Sequence, residues 1–301
     1  MNFRPRPEKM ELFLLRYLNC RMVFSESQAL TFFTIEKGYE GELKSDAWLK
    51  GLTDEWLILN DLLFDYHGSR FQIDTLLIAY EKIYILDVKY WEGDHTTKED
   101  KWFTPTGKPE KNPFHQLERC ETLFQRMLHD LGIHYTIESY LIFNNPEFHL
   151  YTTSINPAII FPTQLNRFLK KLNTKPVKLN KKYHELAQQL VDHNIEESPY
   201  KRIFPYTYEQ QKKGVTCPNC KTFFTDELVC KNCGYVDEVE AAILRSVREF
   251  ILLFPEKKVT TNGIYEWCGG IRSKKIIRRV LAKNYKLVGH SLTSHFVQRT
   301  D

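Results

Sequence analysis

Glu42, Gln72, Asp74, Asp87 and Lys89 are five polar side chains spread over three short stretches of a 301-residue chain. Hydrolysis of a phosphodiester needs a hard divalent cation to polarise the phosphoryl oxygen and a water held in line for attack. Magnesium keeps several of its waters and takes one or two protein carboxylates besides phosphate oxygens. Asp74, Asp87 and Glu42 are therefore a sufficient set for Mg²⁺ or Mn²⁺. Lys89 would orient the attacking water or balance charge. An Asp-x-Lys alone is a common solvated strand edge. The setting gives it weight, because Ile73, Leu76, Leu77, Ile85 and Leu86 surround the two aspartates in sequence, and an ionised carboxylate taken from water without a partner is costly.

These residues need two strands and a helix to meet. Phe71 to Ala79 and Lys82 to Tyr90 are rich in Ile, Leu, Tyr and Val and are separated by Tyr80-Glu81, the pattern of a hairpin. Alternation puts Gln72 and Asp74 on one face of the first strand, and Asp87 and Lys89 on one face of the second. Leu43, Ala47, Trp48 and Leu52 give a helical stripe from about Tyr39 to Leu52, with Glu42 at its margin. Asn112-Pro113 marks a further helix start, with Leu117, Cys120, Phe124, Met127 and Leu131 as its apolar face and Gln116 beside it. Tyr140 to Phe143 and Ala158 to Phe161 read as strands, Pro162 as a helix start, and 174 to 194 as a helix.

Gly38-Tyr39-Glu40-Gly41-Glu42, Gln72-Ile73-Asp74, Asp87-Val88-Lys89 and Asn112-Pro113 with Gln116 resemble, in that order, the motifs of the NERD (nuclease-related) domain of the PD-(D/E)xK nuclease superfamily, over residues 38 to about 145. The third motif often carries Glu in that family, so Asp87 is one methylene shorter. The resemblance implies an α/β core with a mixed central sheet flanked by helices. It also implies catalytic Glu42, Asp74, Asp87 and Lys89, with the three acids holding Mg²⁺ and Gln72 and Gln116 in support.

Cys217-Pro-Asn-Cys220 and Cys230-Lys-Asn-Cys233 are two Cys-x-x-Cys knuckles separated by nine residues. Four thiolates give the closed tetrahedral site of structural Zn²⁺, with no position left open for catalysis. Disulfides are the competing reading, and it is weak where no secretory signal is visible and Cys20, Cys120 and Cys268 show no pairing pattern.

Beyond the knuckles, Glu238 to Phe254 reads as a helix. Thr261 is placed to cap a short helix to Cys268, and Ser273 to cap another to about Asn284. Two short strands around a Ser291 to Ser294 turn would make a wing. Arg272, Lys274, Lys275, Arg278, Arg279 and Lys283 fall in this stretch with no acid among them, and Ile276, Ile277, Val280 and Leu281 supply the buried side. A solvated surface helix would look similar; the helix-turn-helix arrangement favours nucleic acid.

The expected organisation is a nuclease-like domain over 1–194 with an N-terminal helix (Leu12 to Val23) packed on it, a linker over 195–213, a zinc ribbon over 214–236 and a winged-helix-like domain over 237–301. A net charge of +4 leaves affinity for a polyanion to local clustering. No nucleotide-binding loop and no membrane span is legible, and reduced cysteines suit a cytoplasmic setting. The leading expectation is a metal-dependent endonuclease or nickase acting on DNA in preference to RNA. The alternative is a non-catalytic DNA-binding or regulatory protein built on a nuclease-like scaffold.

Overall fold

Leu57–Tyr66 (β2), Ser69–Ala79 (β3) and Lys82–Lys89 (β4) carry long apolar runs and pair antiparallel in that order, with Asn2–Arg4 (β1) added parallel to β2. The computed structural model describes residues 2–79, 82–152, 155–174, 179–196, 203–225, 227–290 and 293–299. The expected Tyr80-Glu81 turn lies outside them. The chain divides into two compact units, one of Met1–Glu8 and Phe33–Ser198 and another of Lys9–Phe32 and Pro199–Asp301.

In the first unit, Thr136–Phe143 (β8) joins β4 in parallel and Ile159–Ile160 (β10) joins β8, giving a mixed six-stranded sheet. Gly93–Lys98 (β5), Lys101–Phe103 (β6), Pro109–Glu110 (β7) and Phe148–Tyr151 (β9) make a second, four-stranded sheet. One face of the main sheet packs on Pro113–Asp130 (α3) and Lys181–Asp192 (α5) through Leu117, Phe124, Leu186 and Leu190. The other packs on the end of Glu26–Leu49 (α2) and on Leu165–Asn173 (α4) through Leu49, Phe168 and Leu172. The fold is the expected α/β core with a mixed sheet between helices.

Alternation is broken at one level of β2 and β3. Leu57 and Leu59 share a core with Leu62 and Phe64, and Leu76 and Ile78 share it with Phe71 and Ile73. A strand of period two cannot place both halves on one face, so each must shift by a residue between them. Asp61, at φ 54°, sits at that shift, and the ladder omits an Asp61–Asp74 pair. Buried Thr75 donates to Asn60 Oδ1 at 3.0 Å across the break. Arg4 donates to the carbonyls of Asn60 (3.1 Å) and Asp61 (3.3 Å), and Arg6 to that of Asp74 (3.1 Å), supplying donors to carbonyls at the level of the break.

Helix α2 begins at Glu26, well before the expected Tyr39. Glycines 38 and 41 look like breakers in sequence, but both lie inside the helix. A Cβ on Gly41 would lie 2.4 Å from Tyr90 Cβ, whereas one on Gly38 meets nothing within 4 Å. Gly41 therefore lets α2 cross close to the end of β4, and its carbonyl accepts from Asn144 Nδ2 at 2.7 Å.

In the second unit, Met10–Arg21 (α1) packs Leu14 and Leu18 into a core with Val239–Leu253 (α6), Thr261–Trp267 (α7) and Lys274–Asn284 (α8). The expectation that this N-terminal helix covers the nuclease core is thus corrected. Its Arg21 is buried, paired with Glu249 at 2.7 Å and stacked 4.0 Å from the Trp267 ring. Such a buried charge needs a partner, and that partner lies on α6. The expected linker also differs, because Tyr206 and Tyr208 pack on Phe254 with centroids 5.8 and 5.3 Å apart. Its stretch 197–202, Pro199 included, lies outside the described residues. Lys286–Val288 (β11) pairs antiparallel with His295–Val297 (β12), and Phe296 N donates to Val259 O at 2.8 Å. Of the turn between them, Ser291 and Leu292 lie outside the described residues.

Gly41→Ala is expected to destabilise the protein by about 1–3 kcal/mol through overpacking against Tyr90. Gly38→Ala should be neutral or stabilising by up to about 1 kcal/mol, since Ala is the better helix former. Urea denaturation of both variants checks the contrast, and equal midpoints would refute the close crossing.

Candidate functional site

Pairing of β3 with β4 runs from Ala79–Lys82 to Thr75–Leu86. At the next level the Val88 N–H donates to Asp74 Oδ2 at 2.9 Å, so a side chain takes over where the backbone ladder stops. Asp87 and Lys89 follow on the face of β4 that looks toward α3. Asp87 is buried, with Oδ2 2.8 Å from Lys89 Nζ in an ion pair. Lys89 Nζ also donates to Gln116 Oε1 on α3 at 3.4 Å. Asn112 caps that helix by accepting from Phe114 N at 2.9 Å, which fixes the turn carrying Gln116.

The electrostatics tie these groups together. Burial pushes the Asp87 carboxyl up to about 6; Lys89 opposes that rise, and Asp74 and Glu42 add to it. Burial alone would lower the Lys89 ammonium, but Asp87, Asp74 and Glu42 together hold it above its ordinary value. The surrounding carboxylates thus favour the charged form of Lys89, a hydrogen-bond donor. Cys120 lies beneath, its thiol driven up to about 12 by burial and then by Asp87 and Asp74, and it donates to Gln72 O at 3.4 Å.

Two expected members sit differently. Gln72 is exposed, and its Nε2 donates to Asp61 Oδ1 at 2.7 Å, because the shift in alternation turns it toward β2 and away from Asp87. Glu42 is buried on α2, and its Oε2 accepts from Arg6 Nη1 at 3.0 Å. Among the described residues, the set of acidic, histidine and cysteine ligand atoms lying within 4.8 Å of one another is the four cysteines; Glu42, Asp74 and Asp87 do not form a second such set.

Arg6 is the residue that sequence reasoning passes over. It binds Asp46 with Nε and Nη2 at 2.9 and 3.0 Å and Thr75 Oγ1 at 3.1 Å, besides Glu42 and the Asp74 carbonyl. A signal exists in Arg4-Pro5-Arg6-Pro7, since each proline favours extended backbone before it and extended alternation puts both arginines on one side.

In the second unit, Cys217, Cys220, Cys230 and Cys233 gather their sulfurs within 4.8 Å. The two knuckles repeat one design. Lys221 N donates to Cys217 O at 3.0 Å, and Gly234 N to Cys230 O at 2.8 Å. Both Lys221 and Gly234 are left-handed, at φ 63° and 71°. Cross-bridges Thr216–Phe223 and Val229–Val236 complete two tight hairpins, an arrangement compatible with a zinc ribbon.

Ile277, Val280 and Leu281 are the buried side of α8, leaving Lys274, Lys275, Arg278 and Arg279 exposed. Lys283 is exposed but pairs with Glu240 at 2.8 Å, and Arg272 Nη1 donates to Ile271 O at 2.9 Å. The cap of α7 is Thr260, which accepts from Gly263 N at 3.0 Å, in place of the expected Thr261; Ser273 stands at the start of α8 without a side-chain cap bond.

One zinc per chain is expected by elemental analysis, with Cys217→Ser or Cys230→Ser losing it. Removal by a strong chelator should unfold the ribbon, because the metal–sulfur bonds supply the folding free energy of so small a module. A chain free of zinc with unchanged hydrogen exchange over 214–237 would refute the assignment.

Residues 37–144 match the NERD family model, described as nuclease-related domain. The match takes in Glu42, Gln72, Asp74, Asp87, Lys89 and Gln116 and leaves out Arg6. No curated protein and no solved structure matches the chain. Asp74, Asp87, Lys89 and Glu42 of the first unit thus all lie within the residues 37–144 that match the nuclease-related model.

Proposed function

We propose that this protein is a divalent-metal-dependent nuclease acting on DNA, with Asp74 and Asp87 as the principal ligands of Mg²⁺ or Mn²⁺. The observation that carries the reading is the pair of buried Asp87 with half-buried Lys89, placed in the field of two further carboxylates within the stretch that matches the nuclease-related model. The donor set fits a hard cation: with Arg6 answered by Glu42 and Asp46, Asp74 and Asp87 face the one ammonium of Lys89, and one or two carboxylates suffice for Mg²⁺. The bound cation would supply Lewis-acid polarisation of the phosphoryl oxygen and a more acidic water. Asp74 is oriented by the Val88 N–H. Lys89, being charged, donates to the attacking water or to the phosphoryl oxygens, and Gln116 limits where its ammonium can point. Glu42 completes the negative field and orients groups at the centre.

The second unit supports a role in holding nucleic acid. Three helices followed by a hairpin, whose second strand returns to Val259, support reading this part as a winged helix with α8 as the basic helix. Lys274, Lys275, Arg278 and Arg279 are the side chains available to phosphates and base edges; Lys283 is committed to Glu240 and serves the packing of α8 on α6. No described helix is long and apolar enough to cross a membrane, and four clustered thiols suit a reducing, cytoplasmic setting.

A specific observation favours the alternative of a non-catalytic DNA-binding protein: Glu42 is engaged by Arg6, and the three carboxylates do not close on one point. Metal-dependent cleavage separates the two. A panel of single-stranded, duplex, nicked and branched DNA with Mg²⁺ or Mn²⁺ should be cut by the wild type, and Asp87→Ala should lose at least about 100-fold in rate while retaining DNA binding. Because protons and the cation compete for Asp87, cation affinity should fall about ten-fold from pH 7 to pH 5, through its value near 6. No cleavage of any substrate, with DNA bound equally by Lys89→Ala, would favour the scaffold reading.

Charge reversal at Lys275 and Arg278 should weaken DNA binding and flatten its salt dependence, by about one unit of slope for each phosphate that is no longer neutralised. Lys283→Glu should instead lower stability by repelling Glu240. Titrations at several salt concentrations check this, and an unchanged slope would remove α8 from the interface.

A further inference from the structure

Arg6 stands outside the 37–144 match, yet its side chain is only 2 % exposed and its donors reach five acceptor atoms, the two hydrogens of Nη2 being shared among three of them. Its partners come from different elements. Glu42 and Asp46 belong to α2, one helical turn apart; the Asp74 carbonyl and the Thr75 hydroxyl belong to β3, where alternation breaks. We propose that Arg6 is a positioning residue for the carboxylate centre, fixing Glu42 and the Asp74–Thr75 backbone to one rigid planar group. The inference rests on reading that centre as a divalent-cation site.

The geometry explains why the group is an arginine. A guanidinium presents its N–H groups in a fixed plane, so a two-point grip on Asp46 aims the remaining donors. Nε and Nη2 take Asp46, which sets the plane; Nη1 then falls on Glu42 Oε2, and the rest of Nη2 on Thr75 and the Asp74 carbonyl. A lysine offers three donors on a flexible stem and cannot serve these acceptors together.

Glu42 has three rotatable bonds between the helix and its oxygens, and the Asp74 carboxylate leaves the chain at the residue whose carbonyl Arg6 holds. One group therefore restrains both the α2 acid and the β3 acid. Functional groups need to be held within about 0.5 Å of the productive geometry, and loss of outer-shell partners of metal ligands usually lowers metal affinity about 10–100-fold. Arg6 reaches this place because β1 runs parallel to β2 at the sheet edge, with Asn2 opposite Ile58 and Arg4 opposite Leu59. The segment from Asn2 to Arg6 is thus part of the centre's framework.

Arg6 has a second property of opposite sign. As a cation near carboxylates it repels a divalent ion, so deleting it could tighten binding. Arg6→Lys separates the effects, because the charge stays while the fork is lost.

The test uses the full-length protein and Mn²⁺, whose free concentration is read by electron paramagnetic resonance. Wild type, Arg6→Lys, Glu42→Gln and the double variant are compared, with thermal melts confirming that each is folded at the assay temperature. Asp46→Asn replaces Arg6→Lys if the latter does not fold, because it loosens the two-point grip on the guanidinium while the Arg6 charge stays. Arg6→Lys is expected to weaken Mn²⁺ by about ten-fold or more. In the Glu42→Gln background the same change should have a markedly smaller effect, since groups acting through one another are not additive. Unchanged or tighter Mn²⁺ binding by folded Arg6→Lys, or full additivity with Glu42→Gln, overturns the role of Arg6 while leaving the metal centre standing. A wild type that binds no Mn²⁺ at this centre overturns both.

Discussion

The pair between Asp87 and Lys89 puts a carboxylate and an ammonium at the C-terminal end of a central strand of an apolar sheet, and most of the first unit can be understood as what makes that tolerable. Neither charge would persist there alone, since the interior penalises an unpaired ion by several kcal/mol. Each compensates the other at 2.8 Å, but the balance is incomplete. Burial lifts the Asp87 carboxyl and Asp74 and Glu42 add to that rise, while Asp87 and then Asp74 and Glu42 hold the Lys89 ammonium up against its burial. A site with a carboxylate surplus, partly shielded from water, is one where a small divalent cation has much to gain.

Regular strands would not produce it. A continuous alternation through β3 would continue the ladder past Thr75 and leave Asp74 with no reason to reach Val88. The paired shift at Asn60–Asp61 and Asp74–Thr75 opens the sheet at that level, and its cost is met by a buried Asn60–Thr75 hydrogen bond and by Arg4 and Arg6 on the carbonyls. Gly41 lets α2 come close enough for Glu42 to join. The local irregularity and the charged residues are thus one feature.

How much of this is legible in the sequence depends on whether the cause is local. The β3 and β4 strands, the Asn112 cap and the placement of Gln116 beside the apolar face of α3 follow from apolar periodicity and a proline at a helix start, which are short-range signals. The cysteine cluster follows from spacing alone. Gln72 is legible as a polar residue in register with Asp74, yet it turns to Asp61 because of a shift that involves two strands at once, and no single-strand pattern reports that. Composition starts helix α2 too late, because tertiary packing decides what Gly38 and Gly41 do. Arg6 and α1 escape for the same reason. Their partners lie in distant sequence, at Glu42 and Asp74 for one and at Glu249 for the other.

The second unit carries its chemistry in two simpler devices: a fourfold sulfur cluster built from two copies of the same tight hairpin, and a helix whose exposed side is basic because its other side is Ile277, Val280 and Leu281. The account as a whole turns on the first unit, and the most direct measurement is the anomalous diffraction of crystals soaked in Mn²⁺. The account predicts a single strong Mn²⁺ peak within coordination distance of the Asp74 and Asp87 carboxylates, with Lys89 Nζ retained beside it. A structure with no metal there at millimolar Mn²⁺, and Asp87 still tied to Lys89 alone, would contradict it.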